Sequence, residues 1–132
     1  MTRVLADTGP LYALADRRDQ HHDDARRQLE LLNARQTTFL VTPATLCEAH
    51  RLVGSRLGFL FAADWIAAIH QAAALIDSTP EDLADAQLFV RKFADQSVSL
   101  NDALSAVVAR RISAPVWTFD RHFALMHAPL AF

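Results

Sequence analysis

Four carboxylates, Asp7, Glu48, Asp102 and Asp120, lie far apart along this chain of 132 residues, each where a strand end or a helix could aim it at one common point. Brought together they would make a hard-cation site. An all-oxygen set suits Mg²⁺ or Mn²⁺ rather than zinc, because these ions prefer carboxylate and water oxygens to sulfur or imidazole. Without an ion the acids would resist convergence, since like charges at roughly 4 Å repel by about 4 kcal/mol at an effective dielectric of about 20. A bound divalent ion removes that cost. It can also acidify a water as nucleophile and steady the leaving oxygen of a phosphodiester, alone or with a second ion about 4 Å away. Thr8 and Thr118, each close to a candidate acid, are expected to orient such waters through their hydroxyls.

Taken singly, each acid has a structural explanation. Asp7 could cap the helix after it, Asp102 falls in a first helical turn where the dipole favours negative charge, Asp120 could cap residues 121–126, and Glu48 could pair with Arg51 at i, i+3. The joint pattern says more, because two acids end strands and two sit on helices in an order that an α/β sheet can bring together. Other chemistry is poorly supported. The neighbours His21 and His22 and the other histidines lack a zinc-site spacing and read as surface or packing residues. Cys47 reads as a packed small side chain, and Glu81, Asp82 and Asp85 as a solvated helix start. Three glycines at Gly9, Gly54 and Gly58 cannot compose a phosphate-binding loop.

The elements that must position the acids follow from periodicity and punctuation. Residues 3–7 read as a buried strand running into Thr8-Gly9-Pro10 and a helix through Leu14. Ala25, Leu29 and Leu32 give a helix over 21–34, residues 37–42 a second strand, and Pro43 starts a helix to Leu57. A further helix begins at Phe59 and runs to about residue 74, followed by a strand at 74–76. Ser78 and Glu81, at capping-box spacing, precede a helix over 81–93. After a loop at 95–100 come a helix over 101–111, a fourth strand over 115–119 and a short helix over 121–126. This alternation implies a parallel sheet with right-handed crossovers, in which ligands bind beyond the carboxyl ends of the strands, where Asp7 and Asp120 fall. Leu57, Phe59, Leu60, Phe61 and Trp65 form more apolar surface than the helical pair needs to bury, and predict a partner helix laid against it.

Length and composition bound the rest. The chain is expected to be one domain spanning 1–132, with no repeat or linker. An apolar fraction of 52 % with 21 % charged residues describes a globular protein. Such a composition leaves no stretch able to cross a bilayer. An early charge at Arg3 and Asp7 argues against a signal peptide, and the single cysteine excludes an intramolecular disulfide, so a cytoplasmic location is expected. A net charge of −2 argues against a broadly basic nucleic-acid binder but does not say where charges collect. Of the 13 basic residues only Lys92 is lysine, and arginine is the better bidentate phosphate ligand. Arg17, Arg18, Arg51, Arg56, Arg110, Arg111 and Arg121 are the candidates to hold a phosphate backbone.

Asp7-Thr8-Gly9-Pro10-Leu11, the helical Glu48, Ser99-Leu100-Asn101-Asp102-Ala103 and Thr118-Phe119-Asp120-Arg121-His122-Phe123 resemble the successive motifs of PIN-domain ribonucleases, particularly the toxins of VapBC-type toxin–antitoxin pairs. The resemblance covers nearly the whole chain. It implies a three-layer α/β/α sandwich with a mainly parallel sheet and Mg²⁺- or Mn²⁺-dependent endonucleolytic hydrolysis of RNA, leaving 5′-phosphate and 3′-hydroxyl ends. Frequent homodimers and inhibition by a small cognate antitoxin are also implied. Residue by residue, it makes Asp7, Glu48, Asp102 and Asp120 the metal-site carboxylates. Asn101 stands where many members have Thr, a departure that leaves the acid beside it in place. Two rival readings are a non-catalytic protein-binding module of the same fold and another Mg²⁺-dependent phosphotransfer protein. The second lacks a D-x-D nucleophile in the first strand and the paired acids and strand-end lysine of a phospho-receiver.

Overall fold

In the computed structural model, which describes residues 2–132, strands and helices alternate along most of the chain. They run β1 (Arg3–Ala6), α1 (Thr8–Ala15), α2 (His22–Ala34), β2 (Thr38–Val41), α3 (Pro43–Leu57), α4 (Phe59–Ala72), β3 (Ala74–Leu75), α5 (Pro80–Lys92), α6 (Leu100–Arg111), β4 (Val116–Trp117) and α7 (His122–Leu125). A 3₁₀ turn at Ala94–Gln96 interrupts the loop before α6. The four strands are parallel in the order β3-β2-β1-β4.

Strand residues alternate between two apolar layers, as a sheet covered on both faces requires. Leu5, Leu40 and Val116 pack with Val107, Val108, Phe123 and Met126 on one side. Val4, Ala6, Val41 and Trp117 pack with Leu11, Ala13, Ala25 and Leu32 on the other. The result is the α/β/α sandwich that the motif resemblance implies. Among the described residues no helix is long and apolar enough to cross a membrane.

The sheet order decides where chemistry can occur. From β1 the chain moves to β2 and β3 on one side, whereas β4 lies on the other. The carboxyl ends of β1 and β4 therefore border the crevice at which strand order reverses, the place where open α/β sheets bind ligands. β4 is shorter than the 115–119 expected. Its last ladder bond runs from the Asp7 amide to the Trp117 carbonyl at 3.0 Å, after which the Thr118 hydroxyl accepts from the Asp120 amide at 2.9 Å and turns the chain.

Two helix starts show what local chemistry settles. Thr42 caps α3 by accepting from the Thr45 amide at 3.1 Å, with Pro43 in the first turn. The capping box of α5 is Thr79 with Asp82, not Ser78 with Glu81: the Asp82 amide donates to Thr79 Oγ1 at 3.0 Å, and the Thr79 amide to Asp82 Oδ2 at 2.9 Å. Pro80 supplies the reason, because proline at the first helical position makes the residue before it the cap. Gly58, at φ +100°, joins α3 to α4 in a conformation that side chains rarely adopt. A Cβ on Gly54 would come within 2.2 Å of the Phe59 ring, so the close packing of that ring on α3 requires glycine.

The reading of Glu81, Asp82 and Asp85 as a solvated helix start is corrected at Asp82, which is buried. Its carboxylate receives Arg111 Nε at 3.1 and 3.0 Å and Nη2 at 2.9 Å, and Arg111 also donates to the Asp77 carbonyl at 2.9 Å. Burial alone would raise the Asp82 pKa, but the Arg111 and Thr79 hydrogen bonds outweigh it and hold the carboxyl below its usual range. Arg111→Met keeps the aliphatic stem and removes the charge, so we expect a loss of about 2 kcal/mol in urea unfolding at pH 7. That is less than for a fully buried pair, because Arg111 keeps partial contact with water. A depressed folded pKa contributes stability above the unfolded value of 3.8 that is lost as pH falls, so the loss should shrink in acid. Equal stability of variant and wild type at pH 7 would count against the pair.

Candidate active site

The four sequence-predicted acids stand around the crevice between β1 and β4. Asp7 follows β1 at the N-cap position of α1, yet its side chain makes no capping bond there; instead Oδ2 accepts from the Thr118 hydroxyl at 2.8 Å. Glu48, on α3, does not serve as a partner for Arg51. Its Oε2 accepts from the Thr8 hydroxyl at 3.1 Å and from the Asn101 amide. Asp102 sits in the first turn of α6 in a capping box, where Ser99 Oγ accepts from its amide at 3.0 Å and the Ser99 amide donates to its Oδ2 at 3.3 Å. Asp120 Oδ1 accepts from the His122 amide at 2.9 Å and lies 2.8 Å from His122 Nδ1. The first-turn reading of Asp102 thus holds, with a capping box added, whereas Asp120 is not the cap of α7: Arg121 takes the N-cap position and Asp120 only accepts from the amide two residues on. Such local bonds are compatible with a second role. In Glu48, Asp102 and Asp120 these bonds fall on one oxygen, which fixes the group and leaves the other as an available ligand.

Thr8 and Thr118 hold the carboxylates themselves, a closer role than the water-orienting one expected. Asn101, Ser99 and His122 are further positioning residues. The Asn101–Glu48 contact joins residues 53 apart in sequence, and no local pattern points to it.

Electrostatically the crevice is short of positive charge. Burial pushes the Asp7 carboxyl up to about 7, opposed by the Thr118 hydroxyl and the Thr8 amide and reinforced by the charges of Asp102 and Glu48. Asp102 is also raised, first by burial and then by Asp120 and Glu48, against the hydrogen bonds of Ser99. Among the described residues no Arg or Lys forms an ion pair with any of the four acids.

The donor set fits a hard divalent cation: it is all oxygen, each acid is pre-oriented, and the buried Asn101 Oδ1 has no hydrogen-bond partner. Among the described residues, however, no three His, Cys, Asp or Glu side chains are gathered closely enough to enclose an ion as they stand. A Mg²⁺-type ion that keeps several waters needs no closed protein cage.

The candidate arginines are scattered. Arg121 adjoins Asp120 and Arg51 lies one turn beyond Glu48, both exposed. Arg17 and Arg18 are exposed on the α1–α2 connection, and Arg56 lies over the Tyr12 ring at 5.0 Å. Arg110 and Arg111 do not share the acid face. They end α6, more than two helical turns beyond Asp102, and Arg111 is committed to Asp82.

The apolar edge is present on α3 and α4, with Leu57, Phe59 and Phe61 exposed and Leu60 83 % exposed. Trp65 does not belong to it, because its half-buried ring packs into the clusters around Tyr12 and Trp117. Cys47 is exposed rather than packed, on the solvent side of α3. His21 stacks on Phe119, with ring centroids 4.4 Å apart, and His22 Nδ1 lies 2.6 Å from the Ala13 carbonyl.

The same arrangement of elements occurs in solved structures. VapC20 of Mycobacterium tuberculosis, described as a toxin cleaving the sarcin–ricin loop, superposes with a TM-score of 0.81 at 22 % identity over 95 % of each chain. VapBC2 of Rickettsia felis, bound to a DNA fragment from its promoter, matches with a TM-score of 0.73 at 17 % identity over 98 % of this chain and 96 % of that one. At these identities the likeness is one of fold. No curated protein matches the sequence. The PIN domain family model matches residues 4–128, from β1 through the segment after α7, and the chain belongs to the PIN-domain family.

Proposed function

We propose that this protein is a divalent-metal-dependent endoribonuclease and acts as the toxin of a type II toxin–antitoxin pair. The observation that carries the catalytic part is the buried Asp7 beside three further acids, held by hydroxyls and amides and, among the described residues, in no ion pair with an Arg or Lys. Such an arrangement is costly for a protein unless a cation is its working partner. Membership of the PIN family and the likeness to VapC20 and VapBC2 support the choice of RNA and of the toxin role.

Asp7, Glu48, Asp102 and Asp120 would hold Mg²⁺ or Mn²⁺. When bound, such an ion supplies an acidified water and charge neutralisation at the phosphodiester. The chain's own part is positional. Thr118 and Ser99 fix Asp7 and Asp102, Thr8 and Asn101 together fix Glu48, and His122 fixes Asp120, so the acids are oriented before an ion arrives. Arg121 and Arg51, beside Asp120 and Glu48, are placed to steady flanking phosphates. The exposed edge of α3 and α4 is placed to receive an amphipathic antitoxin helix, which is expected to bring a basic side chain toward the acids.

The test is RNA cleavage by purified protein. Hydrolysis is expected in Mg²⁺ or Mn²⁺ with 5′-phosphate and 3′-hydroxyl ends, little turnover in Ca²⁺, and none in EDTA. Thermal melting should rise on adding Mn²⁺, because the assembled site exists only in the folded chain. Equal cleavage in EDTA and Mg²⁺ would rule the mechanism out. The toxin role predicts growth arrest on induction, reversed by co-expression of the antitoxin.

A further inference from the structure

A cavity of about 430 Å³ opens beside Asp120, between the start of α2 and the turn after β4. Its size falls in the roughly 300–1,000 Å³ range of small-ligand sites. His21, Asp24 and Gln28 line it from one side, at i, i+3 and i+7, which puts them on one helical face. Phe119, Asp120 and Arg121 line the other. His21 and Phe119 form a nearly parallel stack with centroids 4.4 Å apart and planes inclined by 11°.

We propose that this cavity is a nucleobase subsite, which takes an unpaired base of single-stranded RNA next to the phosphate that is cut. Only the identity of the ligand rests on the ribonuclease reading. The stacked rings form a planar aromatic platform that a base can extend, and base-on-aromatic stacking is the usual means of holding single strands. The polar groups suit a base edge. Trp117 Nε1 can only donate, and it donates to Gln28 Oε1 at 2.7 Å, so the Gln28 amide is fixed with its NH₂ free to donate. Asp24 shares its Oδ1 with Arg27 at 2.7 Å and keeps an acceptor oxygen. Donor and acceptor thus stand on one helical face, matching an edge that both accepts and donates. A phosphate fits poorly in a cavity lined by Asp24 and Asp120, whereas Arg121, exposed and lining the same cavity, suits the phosphate on the ribose of the bound nucleotide.

The test uses wild type, His21→Ala and His21→Phe with a single-stranded RNA of about ten nucleotides, 2-aminopurine being walked along it. Binding and fluorescence quenching are measured in Ca²⁺, and cut positions are mapped in Mg²⁺. Wild type should quench the probe at one position. His21→Ala should bind about five- to a hundredfold more weakly and lose the quenching, while His21→Phe, which keeps a stacking ring, retains both. The proposal is overturned if wild type quenches at no position, or if His21→Ala binds and quenches like wild type. Cleavage without quenching removes the subsite and leaves the nuclease reading; His21-dependent quenching without cleavage does the reverse.

Discussion

Asp7→Asn is expected to lower RNA cleavage by at least about a thousandfold and, in the absence of metal, to raise the melting temperature. Both effects come from one buried charge. The amide oxygen of Asn can still accept from Thr118, so the side chain keeps its place, but a neutral ligand holds a divalent ion poorly and loss of metal ligation removes the charge stabilisation on which phosphodiester hydrolysis depends. For stability, the folded-state pKa of Asp7 is raised from 3.8 to about 7. A raised carboxyl pKa means that the folded chain binds the proton more tightly than the unfolded chain. Its contribution is fully present below the unfolded value and is lost as pH rises through about 7. The metal-free wild type should therefore weaken between about pH 4 and pH 7, by at most about 4 kcal/mol from this group, and Asp7→Asn lacks that part of the slope. Asp102, raised in the same direction, adds to the slope.

The two curves should meet near pH 4, where Asp7 is protonated in the wild type as well. With Mg²⁺ the difference narrows or reverses, because binding a hundred times above its dissociation constant stabilises the wild type by about 2.7 kcal/mol and the variant gains less. Cleavage and thermal melts from pH 4 to 8, with and without Mg²⁺, are the measurements. Full activity of the variant in Mg²⁺ would remove Asp7 from the site; a metal-free variant no more stable than wild type at pH 7 would show that the carboxylate is not strained.

Much of this site can be read from the chain because its acids are tied to punctuation. Asp7 ends a buried run, Asp102 stands three residues after a capping serine, and Asp120 follows the last strand, so local signals locate all three. Sheet order is different. That β1 lies between β2 and β4, which puts Asp7 next to Thr118, follows from how crossovers pack and leaves no local trace in sequence. The same limit hides the Asn101–Glu48 contact and the Arg111–Asp82 pair, both made across long stretches of chain. The α5 cap was within reach of local reasoning, since Pro80 fixes its register. Amphipathic spacing places Trp65 beside Phe61, but only packing shows that one ring faces the core and the other faces outward.

That division sets the prediction about the partner. Leu60→Asp combined with Phe61→Asp is expected to weaken antitoxin binding by at least about a hundredfold while leaving cleavage and melting unchanged. Leu60 is 83 % and Phe61 45 % exposed, so neither replacement buries a charge in the free protein. In a helix-in-groove complex, by contrast, both carboxylates would be desolvated against apolar anchors. Central apolar contacts carry most of the energy of such interfaces, and each is commonly worth about 2 kcal/mol or more on truncation. Trp65→Ala is unsuitable, since removing a ring from two core clusters would disturb α1 and the sheet whether or not a partner binds there. Phe59 is best left intact because its ring packs over Gly54 and ties α4 to α3. Antitoxin affinity by calorimetry and self-association by sedimentation separate the two uses of the face. Lost affinity with oligomeric state retained identifies an antitoxin groove, whereas loss of a dimer with antitoxin affinity unchanged makes this edge a contact between two copies of the chain.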